Sequence, residues 1–189
     1  MSEAFPSAPK LDPLYDFELV VFMVENTLFR VLKQAFTAPG TAFEDKFLEA
    51  NQLGADAGSA PGQRLDNPIV LTDADEKSFR AFLRVLYPFM WQGPVEAYED
   101  WLGVLRLATL WKFDQIRKRA IEALEAHSTF TLPPGSDAEP KNVVKASLLK
   151  LQVGREYHIR QWVTNALCSL LEFQRLSYQD FITPPFNLG

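Results

Sequence analysis

Cysteine is nearly absent from this chain of 189 residues, in which Cys168 stands alone. A single thiol closes no internal disulfide and builds no thiolate metal cage, so a disulfide-stapled secreted scaffold is excluded. Histidine is equally scarce: His127 and His158 are too few for most metal sites or imidazole-base schemes. A basic excess is missing as well. The 19 Lys and Arg against 24 Asp and Glu leave a net charge of -5 and a pI near 5.1. A dedicated nucleic-acid binder needs a cationic face to replace phosphate counterions, and this balance argues against one. Long apolar runs are lacking too, since the longest, Leu19 to Val24, has six residues and cannot cross a bilayer. The opening MSEAFPSAPKLDP has no basic region followed by an apolar stretch, so no signal peptide is expected. The expectation is an intracellular chain, cytoplasmic and/or nuclear, without membrane or nucleic-acid partners.

What is present fits a folded interior. Apolar residues make up 47% and charged residues 23%, near the globular average, which excludes wholesale disorder. Aromatic residues reach 13%, with 15 Phe, and such surface belongs in a core, an interface or both. The length suits one compact domain with an appendage, or two small ones.

Along the chain, residues 1–14 read as a disordered, proline-containing arm. Phe17 to Val24 is rich in β-branched and aromatic residues and reads as a strand. Glu25-Asn26 supplies a two-residue turn, and Thr27 to Leu32 alternates like a returning strand. After Pro39-Gly40, the residues Phe43, Phe47 and Leu48 share one helical face. Residues 51–67, small and polar, read as a flexible inserted loop. Pro68-Ile69-Val70-Leu71 is a short strand with proline where a missing N–H matters least.

Helical spacing dominates the rest. Thr72 with Asp75, or Asp73 with Glu76, has capping-box spacing for a helix bearing Phe79, Phe82, Leu83 and Leu86, ended by Tyr87-Pro88. Ala97 to Trp111 is apolar almost all round, which predicts a buried helix, and Asp114 is placed to cap the next, with Ile116, Ala120, Ala123 and Leu124 inward. Residues 128–140 form a breaker-rich linker. Beyond it, over 141–183, Val144, Leu148 and Leu151 predict one helix. Ile159, Trp162, Val163, Ala166, Leu167, Leu170 and Leu171 predict another.

No catalytic constellation emerges. His127 and His158 lie beside helix ends, where capping or exposure accounts for them. Cys168 lies off its helix's apolar stripe and has no neighbouring base. Phosphate-cradling, dinucleotide, nucleophile-elbow and zinc-protease motifs are all missing. Arg117-Lys118-Arg119, the densest basic run, is expected to be a solvated face. The expected cofactors are none and the expected function is non-catalytic, with no small-molecule substrate.

The order strand, strand, helix, strand and then paired helices resembles the BTB/POZ fold. Asp16 to Val21 with Val24 to Val31 resembles the first hairpin of small fungal BTB domains, and Phe43 with Phe47 matches the family's S-x-x-F-x-x-x-F helix, Gly40 standing where the serine often is. Asn67 to Leu71 resembles the third strand, and Phe79 to Pro88 the F-x-x-F-L-x-x-L-Y segment. Trp101 to Phe113 and Ile116 to Leu124 resemble the closing helix pair, and Val153 to Trp162 with Ala166-Leu167-Cys168 the helical extension of mushroom-type members. Leu32 stands where many members carry histidine. Phe47-Leu48-Glu49 has the hydrophobic–x–Glu form of cullin-binding members but precedes the loop in which they carry it.

The resemblance implies an α+β architecture, a BTB/POZ domain over 15–127 with a short mixed sheet of about three strands flanked by helices, then extra C-terminal helices. It further implies a protein–protein interaction module that forms a homodimer, with Leu14, Tyr15, Leu32 and Phe36 on the dimer surface. The alternative is an adaptor for a cullin-based ubiquitin ligase, with Phe47, Glu49 and Tyr98 facing the cullin.

Overall fold

The computed structural model describes residues 10–13, 15–44, 47, 60–89, 93–127, 129 and 140–172. It divides into two units, between Glu76 and Lys77.

In the first unit, strands β1 (Leu19–Val24) and β2 (Thr27–Leu32) pair antiparallel, from Leu19 opposite Leu32 to Val24 opposite Thr27. Strand β3 (Ile69–Leu71) lies parallel to β1 on its other side, giving the order β2-β1-β3 in a mixed sheet. With the helices below, the fold is α+β, as the sequence pattern predicts. The two-residue turn sits at Glu25-Asn26 as expected. Glu25 takes a left-handed φ of 52° there, a conformation open to few side chains other than Gly, Asn and Asp. Its carboxylate accepts the Glu76 N–H at 3.2 Å, and the Thr27 hydroxyl donates to the Glu76 carboxylate at 2.7 Å. The hairpin tip is thereby tied to the end of the segment that follows β3.

Strand β1 is buried along most of its length, with Val20, Val21, Phe22 and Val24 inside. A 3₁₀ turn at Lys33–Ala35 then delivers Phe36 to the interior. The Phe22, Phe36 and Phe43 rings close a triangle with centroids 4.8, 5.6 and 5.2 Å apart, and Phe47 stacks on Phe43 at 6.3 Å. This is the main destination of the phenylalanine surplus in the first unit. Buried Thr41 donates to the Phe36 and Ala38 carbonyls, and Glu44 accepts the Gly40 N–H at 2.7 Å, where helical backbone begins.

Residues 60–67, the later part of the expected flexible loop, fold onto β1; residues 51–59 lie outside the described residues. Gly62 donates to the Asn67 carbonyl and accepts the Val21 N–H, both at 2.7 Å, which extends the pairing of β1 where three-residue β3 stops short. Its φ of 86° suits glycine, and a Cβ there would lie 2.8 Å from Val20 Cγ2 and 2.9 Å from Ile69 Cδ1.

The second unit is helical among its described residues. Its helices are α1 (Glu76–Leu86, whose first residue closes the first unit), α2 (Tyr98–Leu110), α3 (Asp114–Ala126), α4 (Pro140–Glu156) and α5 (Arg160–Glu172). Helix α1 starts later than either capping-box pairing places it, with Asp75 as its flanking residue. Phe79 and Phe82 of α1 meet Trp111 edge-on at 5.9 and 5.2 Å, and Phe82 meets Phe113 at 5.2 Å. The α2 helix buries one side only: Gly103, Val104, Leu105, Leu107 and Ala108 are inside, whereas Leu110 is exposed.

Two helix ends share one device. After α2, the Phe113 N–H reaches the Ala108 carbonyl and the Lys112 N–H the Thr109 carbonyl. After α4, the Ile159 N–H reaches Gly154 and the His158 N–H reaches Arg155. Both are Schellman motifs with a buried apolar residue just beyond, Phe113 or Ile159. The left-handed position, commonly glycine, is Lys112 at φ 58° in one and His158 at φ 54° in the other. The first turn makes Phe113, not Asp114, the N-cap of α3, a second correction.

Helices α4 and α5 pack through Leu151, Ala166 and Leu170, flanked by Val144, Leu148, Val163 and Leu167. A Cβ on Gly154 would lie 3.0 Å from Trp162 Cβ, so glycine permits the close approach. Leu171, predicted inward, is instead exposed. Arg117 is not simply solvated, because its guanidinium donates to the Tyr157 carbonyl at 2.8 Å; Lys118 and Arg119 are exposed as expected. Trp162, fully buried, donates its indole N–H to Glu125 at 2.5 Å. These bonds join α3 to the α4–α5 pair within the second unit.

Candidate functional site

The exposed apolar surface of the first unit starts before the sheet. Residues 16–18 run alongside the 3₁₀ turn: the Lys33 N–H donates to the Glu18 carbonyl at 2.8 Å, and the Gln34 amide to the Asp16 carbonyl at 2.8 Å. The Lys33 ammonium adds a 2.6 Å ion pair with the Glu18 carboxylate. Held this way, Tyr15 and Phe17 turn their rings outward, 73% and 56% exposed, in a T-shaped pair at 6.4 Å. Leu19 follows, and alternation along β1 puts it on the face shared by Met23. Register adds Leu32 opposite Leu19, and Leu28 and Val70 flanking Met23. Leu19, Leu28 and Val70 are each more than two-fifths exposed, and Leu11 and Leu65 are exposed as well.

Isolated exposed leucines are ordinary on folded proteins, but here Leu19, Leu28 and Val70 share one sheet face, next to the outward rings of Tyr15 and Phe17. Arg30, exposed on β2, and the Glu18–Lys33 pair add charge beside these apolar side chains.

Of the expected dimer-surface residues, Tyr15 is on this band and Leu32, half-buried, lies opposite Leu19. Leu14 lies outside the described residues. Phe36 is corrected: its ring is fully enclosed by the Phe22 and Phe43 cluster, so it supports the unit from within. Phe17, Leu19 and Leu28 were read from the sequence as strand residues without regard to face; the two-residue spacing from Tyr15 through Phe17 to Leu19 was the available signal.

Of the expected cullin-facing residues, Phe47 belongs to the first unit and Tyr98 to the second. Phe47 is buried against Phe43, with the Lys33 ammonium 5.6 Å from its ring centre. Glu49 lies outside the described residues. Tyr98 is in the second unit, half-buried at the start of α2, 5.7 Å from the His127 ring. Burial, then the charges of Glu99 and Glu156, pushes its phenol up to about 12. Burial and the Glu156 carboxylate do the same to Tyr157, also about 12. Both phenols therefore stay protonated at neutral pH.

His127 caps α3, and its Nδ1 lies 2.9 Å from the Thr129 hydroxyl and 3.2 Å from the Thr129 N–H. His158 occupies the α4–α5 turn, and Cys168 is exposed on α5. Among the described residues, no group of three or more His, Cys, Asp or Glu is placed to hold a metal ion, and no helix is long and apolar enough to cross a membrane. No protein-family model, curated protein or solved structure matches the chain.

Proposed function

We propose that the chain is a non-catalytic protein–protein interaction module of the BTB/POZ type that self-associates through its N-terminal unit. The observation that carries this reading is the outward apolar band of Tyr15, Phe17, Leu19, Leu28 and Val70 on and beside the sheet. A mixed sheet built on an N-terminal hairpin, followed by helices, is compatible with the BTB/POZ resemblance. A second copy is the natural occupant of a self-complementary apolar face, because a two-fold interface uses one patch twice. The adaptor reading has less support, since Phe47 is withdrawn into the core.

Sedimentation velocity of the full chain at roughly 1–100 µM detects a dimer of micromolar or tighter affinity, the affinities that interfaces of about 1,600 Å² reach. The expected result is a dimer that Phe17→Ser with Leu19→Asp converts to a monomer without lowering the unfolding midpoint. A strict monomer across that range overturns the self-association reading.

A further inference from the structure

The α4–α5 turn of the second unit opens a concavity of about 720 Å³, lined by Gly154, Arg155, His158, Arg160, Val163 and Thr164. Two of these six side chains are arginines and a third is a histidine, in a chain whose net charge is -5. Arg155 comes from the last turn of α4 and Arg160 from the first turn of α5, brought together by the Schellman turn. Among the described residues, neither guanidinium has a carboxylate partner. Glu156, exposed, follows Arg155 at the end of α4. Two guanidinium groups lining one concavity repel one another, and an anion between them relieves that repulsion.

We propose that this concavity binds a phosphorylated side chain of a peptide. A carboxylate is satisfied by one bidentate guanidinium. A second guanidinium, an imidazole and the Thr164 hydroxyl leave donors that a phosphate monoester, with three terminal oxygens and nearly two charges, can use. The N–H groups of Arg160 and Gln161, at the start of 13-residue α5, have no acceptor among the described residues and add to the positive potential. The site opens to solvent, which lets a chain cross it, and Val163 offers that chain an apolar contact. This site is independent of self-association by the first unit.

The test uses the full chain with two probes. A fluorescent pool of degenerate phosphoserine peptides and its unphosphorylated twin are titrated by anisotropy, and inorganic phosphate is titrated against the backbone amide resonances of Arg160, Gln161 and Thr164. The phosphorylated pool is expected to bind at least about tenfold more tightly than its twin, the increment a few charge-assisted hydrogen bonds supply. Arg155→Gln with Arg160→Gln, both at exposed positions, should abolish that advantage and leave the urea midpoint unchanged, whereas Arg119→Gln on α3 leaves both intact. Inorganic phosphate should shift the three amides saturably. Equal binding of the two pools, an advantage that survives the double substitution, or amide shifts with inorganic phosphate but no phosphopeptide preference would each overturn the proposal.

Discussion

Replacing Phe36 with alanine separates a core residue from a contact residue. The ring has no exposed surface and lies 4.8 and 5.2 Å from the Phe22 and Phe43 centroids. Burying a phenylalanine side chain stabilises by about 1.5–3 kcal/mol. Each aromatic pair adds about 0.5–1.5 kcal/mol beyond area, and the pairs with Phe22 and Phe43 are both lost. The combined loss centres near 4 kcal/mol, within the ~3–5 kcal/mol typical of Phe→Ala in a core. With a urea slope near 2 kcal/mol/M, the midpoint followed by far-ultraviolet circular dichroism should fall by roughly 2 M. Tyr15→Ala, at an exposed position, should stay within about 0.5 kcal/mol of the parent. The core assignment is refuted if Phe36→Ala costs less than about 1 kcal/mol, or if it dissociates a dimer while leaving the midpoint in place.

Two further outcomes follow from the geometry. Gly62→Ala combines a left-handed backbone with Cβ contacts of 2.8 and 2.9 Å to Val20 and Ile69, so it should destabilise by roughly 2 kcal/mol in the same urea assay; a neutral result would mean that the 60–67 turn is not seated on β1. Tyr98 and Tyr157, raised from 10 to about 12, keep their protons in the folded state where the unfolded chain has lost them. Their contribution is therefore fully present below pH 10 and lost as pH rises toward 12. Absorbance at the phenolate band during alkaline titration should show Tyr98→Phe and Tyr157→Phe each removing a late-titrating group, and early titration of both tyrosines would contradict the burial described.

The strands and most helices were legible because their signals are periodic. The β1–β2 hairpin shows apolar alternation around two turn-compatible residues, and α5 carries an apolar residue every third or fourth position. What escaped depends on where neighbours lie. Leu110 and Leu171 have helical spacing that suits burial, yet both sit at the edge of the stripe and are exposed. Arg117 reads as one charge in a basic run, but the α4 end brings a carbonyl within 2.8 Å of it. The two Schellman turns were hidden because Lys112 and His158 stand where glycine is the recognised signal. Within the candidate interface, Tyr15 and Leu32 were legible through the resemblance, whereas Phe36 was misread. A phenylalanine beside a surface segment has the same letter whether it turns outward or joins Phe22 and Phe43.

The sheet order β2-β1-β3 also sets a timetable for folding. The antiparallel hairpin closes over two residues, and such pairs form in about 1–10 µs. Strand β3 must return from far along the chain to lie parallel beside Phe22, Met23 and Val24. Non-local parallel pairings are intrinsically slow, because chain entropy is lost before the contacts reward it. During that interval the β3 side of the central strand is an unpaired, almost wholly apolar edge that can template pairing with another molecule. The segment that returns with β3 also seats Gly62 on Val21, so the small 60–67 turn covers the part of that edge that a three-residue strand leaves open.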